Sequence, residues 1–69
     1  MSRRKFGRLR EKYGEVFGTQ QEFAKALGMD RATLNLKLNG KVEFTRSEIE
    51  KSCILLDIPL NDVTGYFFY

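Results

Sequence analysis

Apolar residues recur along this chain at the three- and four-residue spacing of amphipathic α-helices. Phe6, Leu9 and Tyr13 share one face of a helix that we predict over residues 2–13, and Gly14 then opens a connection to the next segment. A single proline in 69 residues and little alternation of apolar and polar positions argue against β-strands. The pattern predicts an all-α fold of five helices in one domain spanning residues 1–69.

Residues 19–40 carry the clearest helix boundaries in the sequence. Thr19 and Glu22 have the spacing of a capping box, which starts the second helix. Gly28 is suited to end that helix, and Asp30 is a good N-cap for a third helix that stops at Asn39-Gly40. Two short helices joined by a tight turn are the layout of a helix-turn-helix, which can place its second helix in the DNA major groove.

The third predicted helix presents a mixed apolar and polar face to solvent. Leu34 and Leu38 point inward, and Lys37 has similar spacing, so we expect its stem to cover apolar surface while its amine reaches solvent. The outward side chains are Arg31, Ala32, Thr33, Asn35, Leu36 and Asn39. Asn, Arg and Ala can contact base edges. Leu36 at the centre suits a DNA contact and a protein contact equally well, and an ordinary surface leucine is the third alternative.

The C-terminal third predicts two more helices and an apolar tail. Thr45 and Glu48 form a second capping-box pattern, and Pro59 suits the first turn of a short fifth helix in which Leu60 and Val63 pack inward. The tail aromatic residues are a candidate dimer or protein interface: Tyr66, Phe67, Phe68 and Tyr69. The alternative is that Phe67 belongs to the core and the last residues fray.

Charge is distributed unevenly along the chain. The first twelve residues hold six of the 12 basic residues and one of the 9 acidic residues, so the positive charge lies away from the third helix. The basic end can contact phosphates or remain a solvated helix face. With one cysteine and no histidine, an internal disulfide and a Cys/His zinc site are excluded. We expect a cytoplasmic protein with no catalytic residues, metal, cofactor, small-molecule substrate or membrane association.

Several short motifs, in their order and spacing, resemble the lambda-repressor-like family, which includes phage repressors and Cro-like proteins. They are Thr19-Gln20, Ala24, Leu27-Gly28, Thr33-Leu34 and Leu38-Asn39-Gly40. Further segments are similar to a small phage-associated subgroup of Gram-positive bacteria, namely residues 37–41, Phe44-Thr45, Ser47-Glu48-Ile49, Ile58-Pro59 and Tyr66-Phe67-Phe68.

The resemblance implies a five-helix DNA-binding domain and a role for individual residues. It implies that Gln20 contacts a phosphate, that Arg31, Ala32 and Thr33 read bases, and that Asn35 and Leu36 make later contacts. It also places Asn39 and Lys41 near the DNA backbone at the end of the helix.

Two functions follow from these observations. The main hypothesis is a phage or prophage transcriptional regulator of the Cro or repressor type, which binds double-stranded operator DNA through the third helix. A homodimer is one candidate assembly, since such domains usually bind DNA as dimers. The alternative is a protein-binding modulator or anti-repressor that docks a phage repressor, using the Leu36 face or the basic first helix.

Overall fold

A computed structural model describes residues 6–68 of the chain, and within that range the fold is all-helical. The five α-helices are α1 (Gly7–Phe17), α2 (Gln20–Leu27), α3 (Arg31–Leu38), α4 (Arg46–Leu56) and α5 (Val63–Phe67), with a 3-10 turn at Leu60–Asp62. The predicted five-helix, all-α fold is confirmed. No helix in the described part of the chain is long and apolar enough to cross a bilayer.

Helix α1 extends one turn beyond its predicted end. Gly14 lies inside the helix, and the prediction that it opens a connection was wrong. Tyr13 and Phe17 both pack on the Phe23 ring, with centroid separations of 5.0 and 5.7 Å. This packing outweighs the free-energy cost of a glycine inside a helix, which is about 1 kcal/mol relative to alanine. The helix ends instead at Gly18, where φ is 85°; residues 2–5 of the predicted helix lie outside the described residues.

The boundaries of α2 and α3 follow from the capping residues in the sequence. Thr19 Oγ1 accepts a hydrogen bond from the Glu22 N–H at 3.2 Å, and only this half of the predicted capping box is formed between the two residues. Gly28 ends α2 at a φ of 81°. Asp30 Oδ1 then accepts from the Thr33 N–H at 2.7 Å, which starts α3. The predicted pair of helices and the turn between them are present.

Helix α4 begins with a complete capping box. The Glu48 N–H donates to Thr45 Oγ1 at 3.2 Å, and the Thr45 N–H donates to Glu48 Oε1 at 2.9 Å. Two orphan amides of the first turn are thereby satisfied. The helix ends at Asp57, which has a positive φ of 55°.

Lys37 connects α3 to α4 through a buried ammonium group. The residue is 5% exposed, and its Nζ lies 3.0 Å from Glu48 Oε1 and 3.1 Å from the Glu43 carbonyl oxygen. The expectation that its amine reaches solvent was wrong. The segment between α3 and α4 supplies the Glu43 carbonyl and the first turn of α4 supplies the Glu48 carboxylate, so the charge is buried with partners.

The core is formed by side chains from all five helices, and its fully buried aliphatic members are Leu9, Leu34, Leu38 and Leu56. Phe67 belongs to this core, since it is 7% exposed and packs edge-on against Phe6 and Phe44 at centroid separations of 6.3 and 5.3 Å. Its ring is therefore withdrawn from the surface and is not available as an interface residue.

The segment before α5 differs from the prediction at Leu60. This residue is 78% exposed, and the prediction that it packs inward was wrong. Ile58, two residues earlier, is 5% exposed and occupies the core instead. The 3-10 turn that follows Pro59 has a tighter winding than an α-helix, which turns Leu60 outward.

Candidate functional site on helix α3

Helix α3 lies against the core through two leucines and exposes its other side. Leu34 and Leu38 are each 0% exposed, which sets the orientation of the helix. We refer to the outward residues as the α3 face: Arg31, Ala32, Thr33, Asn35, Leu36 and Asn39. All of them are exposed except Thr33, which is half-buried. Lys41 is exposed just beyond the helix, and Gln20 is half-buried at the start of α2.

The centre of the α3 face is apolar. Leu36 is 44% exposed, and Ala32 lies one turn earlier on the same side of the helix. The Lys41 and Val42 N–H groups both point to the Leu36 carbonyl oxygen, at 2.9 and 3.4 Å, so the chain folds back at the end of α3. Val42, which is 43% exposed, lines a pocket with Phe6 and Phe44, so the apolar centre of the α3 face consists of Leu36 and Ala32.

A hydrogen-bond chain joins the α3 face to the two preceding helices. The Tyr13 hydroxyl donates to Gln20 Oε1 at 3.3 Å, and Gln20 Nε2 donates to Asn35 Oδ1 at 3.4 Å. Both ends of the Gln20 amide are therefore engaged within the molecule. Asn35 accepts through its oxygen, and its amide N–H groups have no hydrogen-bond acceptor among residues 6–68. The sequence identified Gln20 and Asn35 as site residues, but not their link to Tyr13.

Positive charge on the α3 face is limited. Among the described residues of the face and its exit, Arg31 and Lys41 are the cations. At the N-cap, hydrogen bonds from the Thr33 side chain and backbone lower the pKa of Asp30, so its carboxylate stays ionised near neutral pH. A negative charge therefore lies directly beside Arg31.

Two arginines of the basic first helix make contacts with other helices of the fold. The Arg8 guanidinium lies over the Tyr66 ring, 4.4 Å from its centroid, where Gly65 leaves room for it. Arg10 Nη2 donates to the Leu38 carbonyl oxygen at 3.3 Å, at the C-terminal end of α3. These side chains stabilise α5 and α3, which reduces the charge that α1 can offer to phosphates. Arg3, Arg4 and Lys5 lie outside the described residues.

The described residues contain no cluster of metal ligands, and their one cysteine is buried. No group of three or more His, Cys, Asp or Glu side chains among residues 6–68 could hold a metal ion. Cys53 is buried, and burial together with the nearby charge of Glu50 raises the pKa of its thiol. The thiol is therefore protonated and poorly nucleophilic near neutral pH.

The predicted tail interface is divided between core and surface. Phe67 is in the core, Tyr66 is half-buried beneath Arg8, and Phe68 is 62% exposed. Tyr69 lies outside the described residues. Of the tail residues described, Phe68 is the one whose ring is mostly available to a partner.

A family model covers nearly the whole chain, from residue 2 to residue 69. The chain belongs to the DUF739 family. The description of this family is a protein of unknown function. No curated protein matches the sequence.

A solved phage protein shares the fold of this DUF739 chain. The solution structure of the modulator of repression (MOR) of the temperate bacteriophage TP901-1 from Lactococcus lactis is similar to it, with a TM-score of 0.84 and 39% sequence identity. The similarity covers 93% of this chain and 86% of the phage protein. The match agrees with the phage-associated group implied by the sequence resemblance. The comparisons give no support to a DNA-binding protein of the Cro type.

Proposed function

We propose that this DUF739 protein is a modulator of repression that docks a phage repressor protein through the α3 face. The observation that carries the proposal is the similarity to the modulator of repression of phage TP901-1, which shares the fold of this chain and 39% of its sequence. The proposal places the protein in the cytoplasm of the bacterial host, where a repressor acts, and assigns it no catalysis.

The composition of the α3 face supports a protein partner. Leu36 lies at its centre with Ala32 one turn earlier, and the polar residues Arg31, Asn35 and Asn39 lie around them. An apolar centre within a polar rim is the usual arrangement of a protein interface. Asn35, held by Gln20, adds a directed hydrogen-bond donor beside Leu36. Such a surface offers one anchor and one specificity contact.

The charges of the described residues favour the protein partner over DNA. Binding to duplex DNA derives much of its affinity from several contacts between basic side chains and phosphates. Arg8 and Arg10 are engaged within the fold, and the α3 face itself has Arg31 beside the Asp30 carboxylate. The number of cations near α3 is therefore small for a DNA reader.

DNA binding through the same face is the second candidate function. The observation in its favour is that Arg31, Asn35 and Asn39 lie on one exposed side of a short helix that follows a tight turn. These side chains can hydrogen-bond to guanine and adenine edges. A Cro-type regulator would use this arrangement with phosphate contacts from Gln20 and Lys41.

A titration against the repressor encoded in the same phage genome region tests the proposal. Calorimetry with purified proteins is expected to show a complex, and Leu36→Glu should weaken it by roughly thirtyfold or more because it places a charge in the interface centre. Val16→Glu is the matched control, since Val16 is exposed to a similar extent, 48%, on α1. Unchanged affinity of the Leu36 variant would contradict docking through the α3 face.

A parallel titration with phage operator DNA separates the two candidates. The modulator is expected to give no sequence-specific shift by itself in a mobility assay at low salt. A DNA reader would shift one site and lose affinity with rising salt, with a log–log slope of about 0.9 for each phosphate neutralised. A specific shift with such a slope would favour the Cro-type function.

A further inference from the structure

Asn39 and Gly40, at the end of α3, form the sole Asn-Gly sequence of the chain. Asparagine followed by glycine is especially prone to spontaneous deamidation, because glycine has no Cβ to hinder attack by its backbone nitrogen on the preceding side chain. Asn39 is exposed, and its side chain makes no hydrogen bond among residues 6–68. The amide group that would react is therefore accessible to solvent and free to rotate.

The backbone at this point holds the attacking nitrogen in a Schellman motif. Gly40 has a positive φ of 78°, and its N–H donates to the Lys37 carbonyl oxygen at 3.1 Å. The Lys41 N–H donates to the Leu36 carbonyl oxygen at 2.9 Å, which completes the motif. The Gly40 N–H is engaged in this closed state, so the reaction requires the end of α3 to open first.

Opening of the last turn of α3 is an expected local motion. The helix has eight residues, and helices this short have little stability of their own. Gly40 and Lys41 are exposed, so water can solvate the groups that opening releases. Terminal turns of this kind open far more often than the whole fold unfolds. Arg10 Nη2, which donates to the Leu38 carbonyl oxygen at 3.3 Å, restrains this end of the helix.

We propose that Asn39 is a site of spontaneous deamidation that disables the α3 face in chains without a bound partner. Once α3 opens at its end, the Gly40 nitrogen loses its proton and attacks Asn39 Cγ. The new N–Cγ bond forms, the bond from Cγ to the side-chain nitrogen breaks, and that nitrogen leaves as ammonia. Water then opens the five-membered imide at one of its two carbonyls, which gives aspartate or isoaspartate.

Both products change the α3 face, of which Asn39 is a member. Each places a carboxylate at the C-terminal end of α3, where negative charge opposes the helix dipole. Isoaspartate also lengthens the backbone by one carbon before Gly40, which is incompatible with the bonds of the Schellman motif. A partner docked on the α3 face would hold this end closed and slow the reaction. This protection rests on the proposed docking of a repressor.

Peptide mapping of the full chain after incubation in H₂¹⁸O tests the modification site. The heavy oxygen should enter at Asn39 before the other two asparagines, and faster at alkaline than at neutral pH. Asn61 precedes Asp62, whose side chain hinders attack, and Asn35 lies inside α3 with its side chain bonded to Gln20. Equal or earlier labelling at Asn35 or Asn61 would overturn the proposal.

A variant of Arg10 tests the requirement for opening. Arg10→Ala should speed the labelling of Asn39 about fivefold, the effect of losing one hydrogen bond that favours the closed state. Lys12→Ala is the matched control, since it removes the same charge from the same helix and should leave the rate unchanged. Equal rates in the two variants would show that opening at Leu38 does not limit the reaction.

Calorimetry with the repressor tests the consequence for docking. The deamidated chain, isolated by ion exchange, should bind at least about fivefold more weakly than the unmodified chain. Repressor at about ten times its Kd should slow the labelling of Asn39 roughly tenfold. Asn39→Gln would have to form a six-membered ring, so its affinity, whatever its starting value, should be the same before and after incubation.

The outcomes distinguish this inference from the proposed function. If the unmodified chain does not bind the repressor, docking through the α3 face is contradicted, while the labelling experiment still decides the modification site. If the unmodified and deamidated chains bind equally well, or if bound repressor leaves the labelling rate unchanged, the role of Asn39 in disabling the α3 face is overturned.

Discussion

Lys37 and Glu48 form an ion pair of 3.0 Å between α3 and α4, with side-chain exposures of 6% and 23%. The Lys37 ammonium also donates to the Glu43 carbonyl oxygen, and Glu48 caps the first turn of α4 through the Thr45 N–H. One carboxylate thus fixes the start of α4 and the position of α3 at the same time. The α3 face is presented by a helix whose inner side is anchored by an ionic contact as well as by leucines.

Removal of the lysine charge should be strongly destabilising. Lys37→Met leaves Glu48 partly buried without its cation, and we expect the free energy of unfolding to fall by about 3 kcal/mol, the lower part of the range for broken buried pairs. Urea unfolding followed by circular dichroism measures the loss. Met retains the apolar stem, so a cavity does not contribute.

The partner variants complete a double-mutant cycle. Glu48→Gln keeps an oxygen that can accept from the Thr45 N–H, so the cap is preserved while the charge is removed. Lys37→Met/Glu48→Gln should therefore lose less stability than the sum of the single variants, by about 1 kcal/mol or more. Strict additivity would show that the two side chains are not coupled.

The same pair predicts how stability depends on pH. Burial raises the pKa of Glu48, but hydrogen bonds from Thr45 and the bond and charge of Lys37 lower it more, so that its pKa falls below the ordinary value of 4.5. A carboxyl whose pKa is lowered by folding binds fewer protons in the native state than in the unfolded state. Its stabilisation is complete above pH 4.5 and is lost as the pH falls through the lower native pKa.

Stability curves of the wild type and Glu48→Gln provide the measurement. The wild type should be the more stable protein near neutral pH, and the difference should shrink steadily once the pH drops below about 4.5. Asp30, whose pKa is also lowered, remains in both proteins and so cancels from the comparison. If the stability difference between the two proteins stays constant down to about pH 3, the lowered pKa does not belong to Glu48.

The helix boundaries around α3 were predictable because they depend on residues close in sequence. Thr19, Asp30 and Thr45 cap their helices through bonds that span three residues, and Gly28 ends α2 through its own positive φ. The inward direction of Leu34 and Leu38 follows from the helical repeat alone. These features were sufficient to locate the exposed face of α3.

The errors occur where contacts between distant segments override local preferences. Gly14 remains helical because its neighbours pack on Phe23 of the next helix. The Lys37 ammonium is buried because Glu48 lies eleven positions away in sequence and one helix away in space. None of these contacts has a signal at the spacing of a helical turn.

The contact between Arg10 and the end of α3 predicts a structural role for a residue of the basic helix. Arg10 Nη2 donates to the Leu38 carbonyl oxygen, so Arg10→Ala should lower the free energy of unfolding by about 1 kcal/mol. Lys12→Ala removes the same charge from the same helix and should cost less than about 0.5 kcal/mol. Thermal or urea unfolding measures the loss of stability in each variant. Equal losses in Arg10→Ala and Lys12→Ala would mean that the contact between Arg10 and Leu38 does not stabilise the fold.

The hydrogen-bond chain from Tyr13 through Gln20 to Asn35 predicts that Gln20 orients the α3 face rather than contacting a partner itself. Gln20→Ala removes both bonds at a half-buried position and should lower the free energy of unfolding by about 1 kcal/mol. The Asn35 side-chain amide, once released, should show faster motion in ¹⁵N relaxation measurements. Gln21→Ala is the control, since Gln21 is an exposed neighbour on the same helix.

Tyr13→Phe tests the same chain from its buried end. It removes the hydroxyl that holds Gln20 Oε1 but retains the ring that stacks on Phe23 at 5.0 Å. If Gln20 acts through Asn35, both Tyr13→Phe and Gln20→Ala should weaken repressor binding. Tyr13 is not part of the α3 face, so its variant tests the effect through Gln20. A loss of affinity in Gln20→Ala with none in Tyr13→Phe would instead indicate direct contact between Gln20 and the partner.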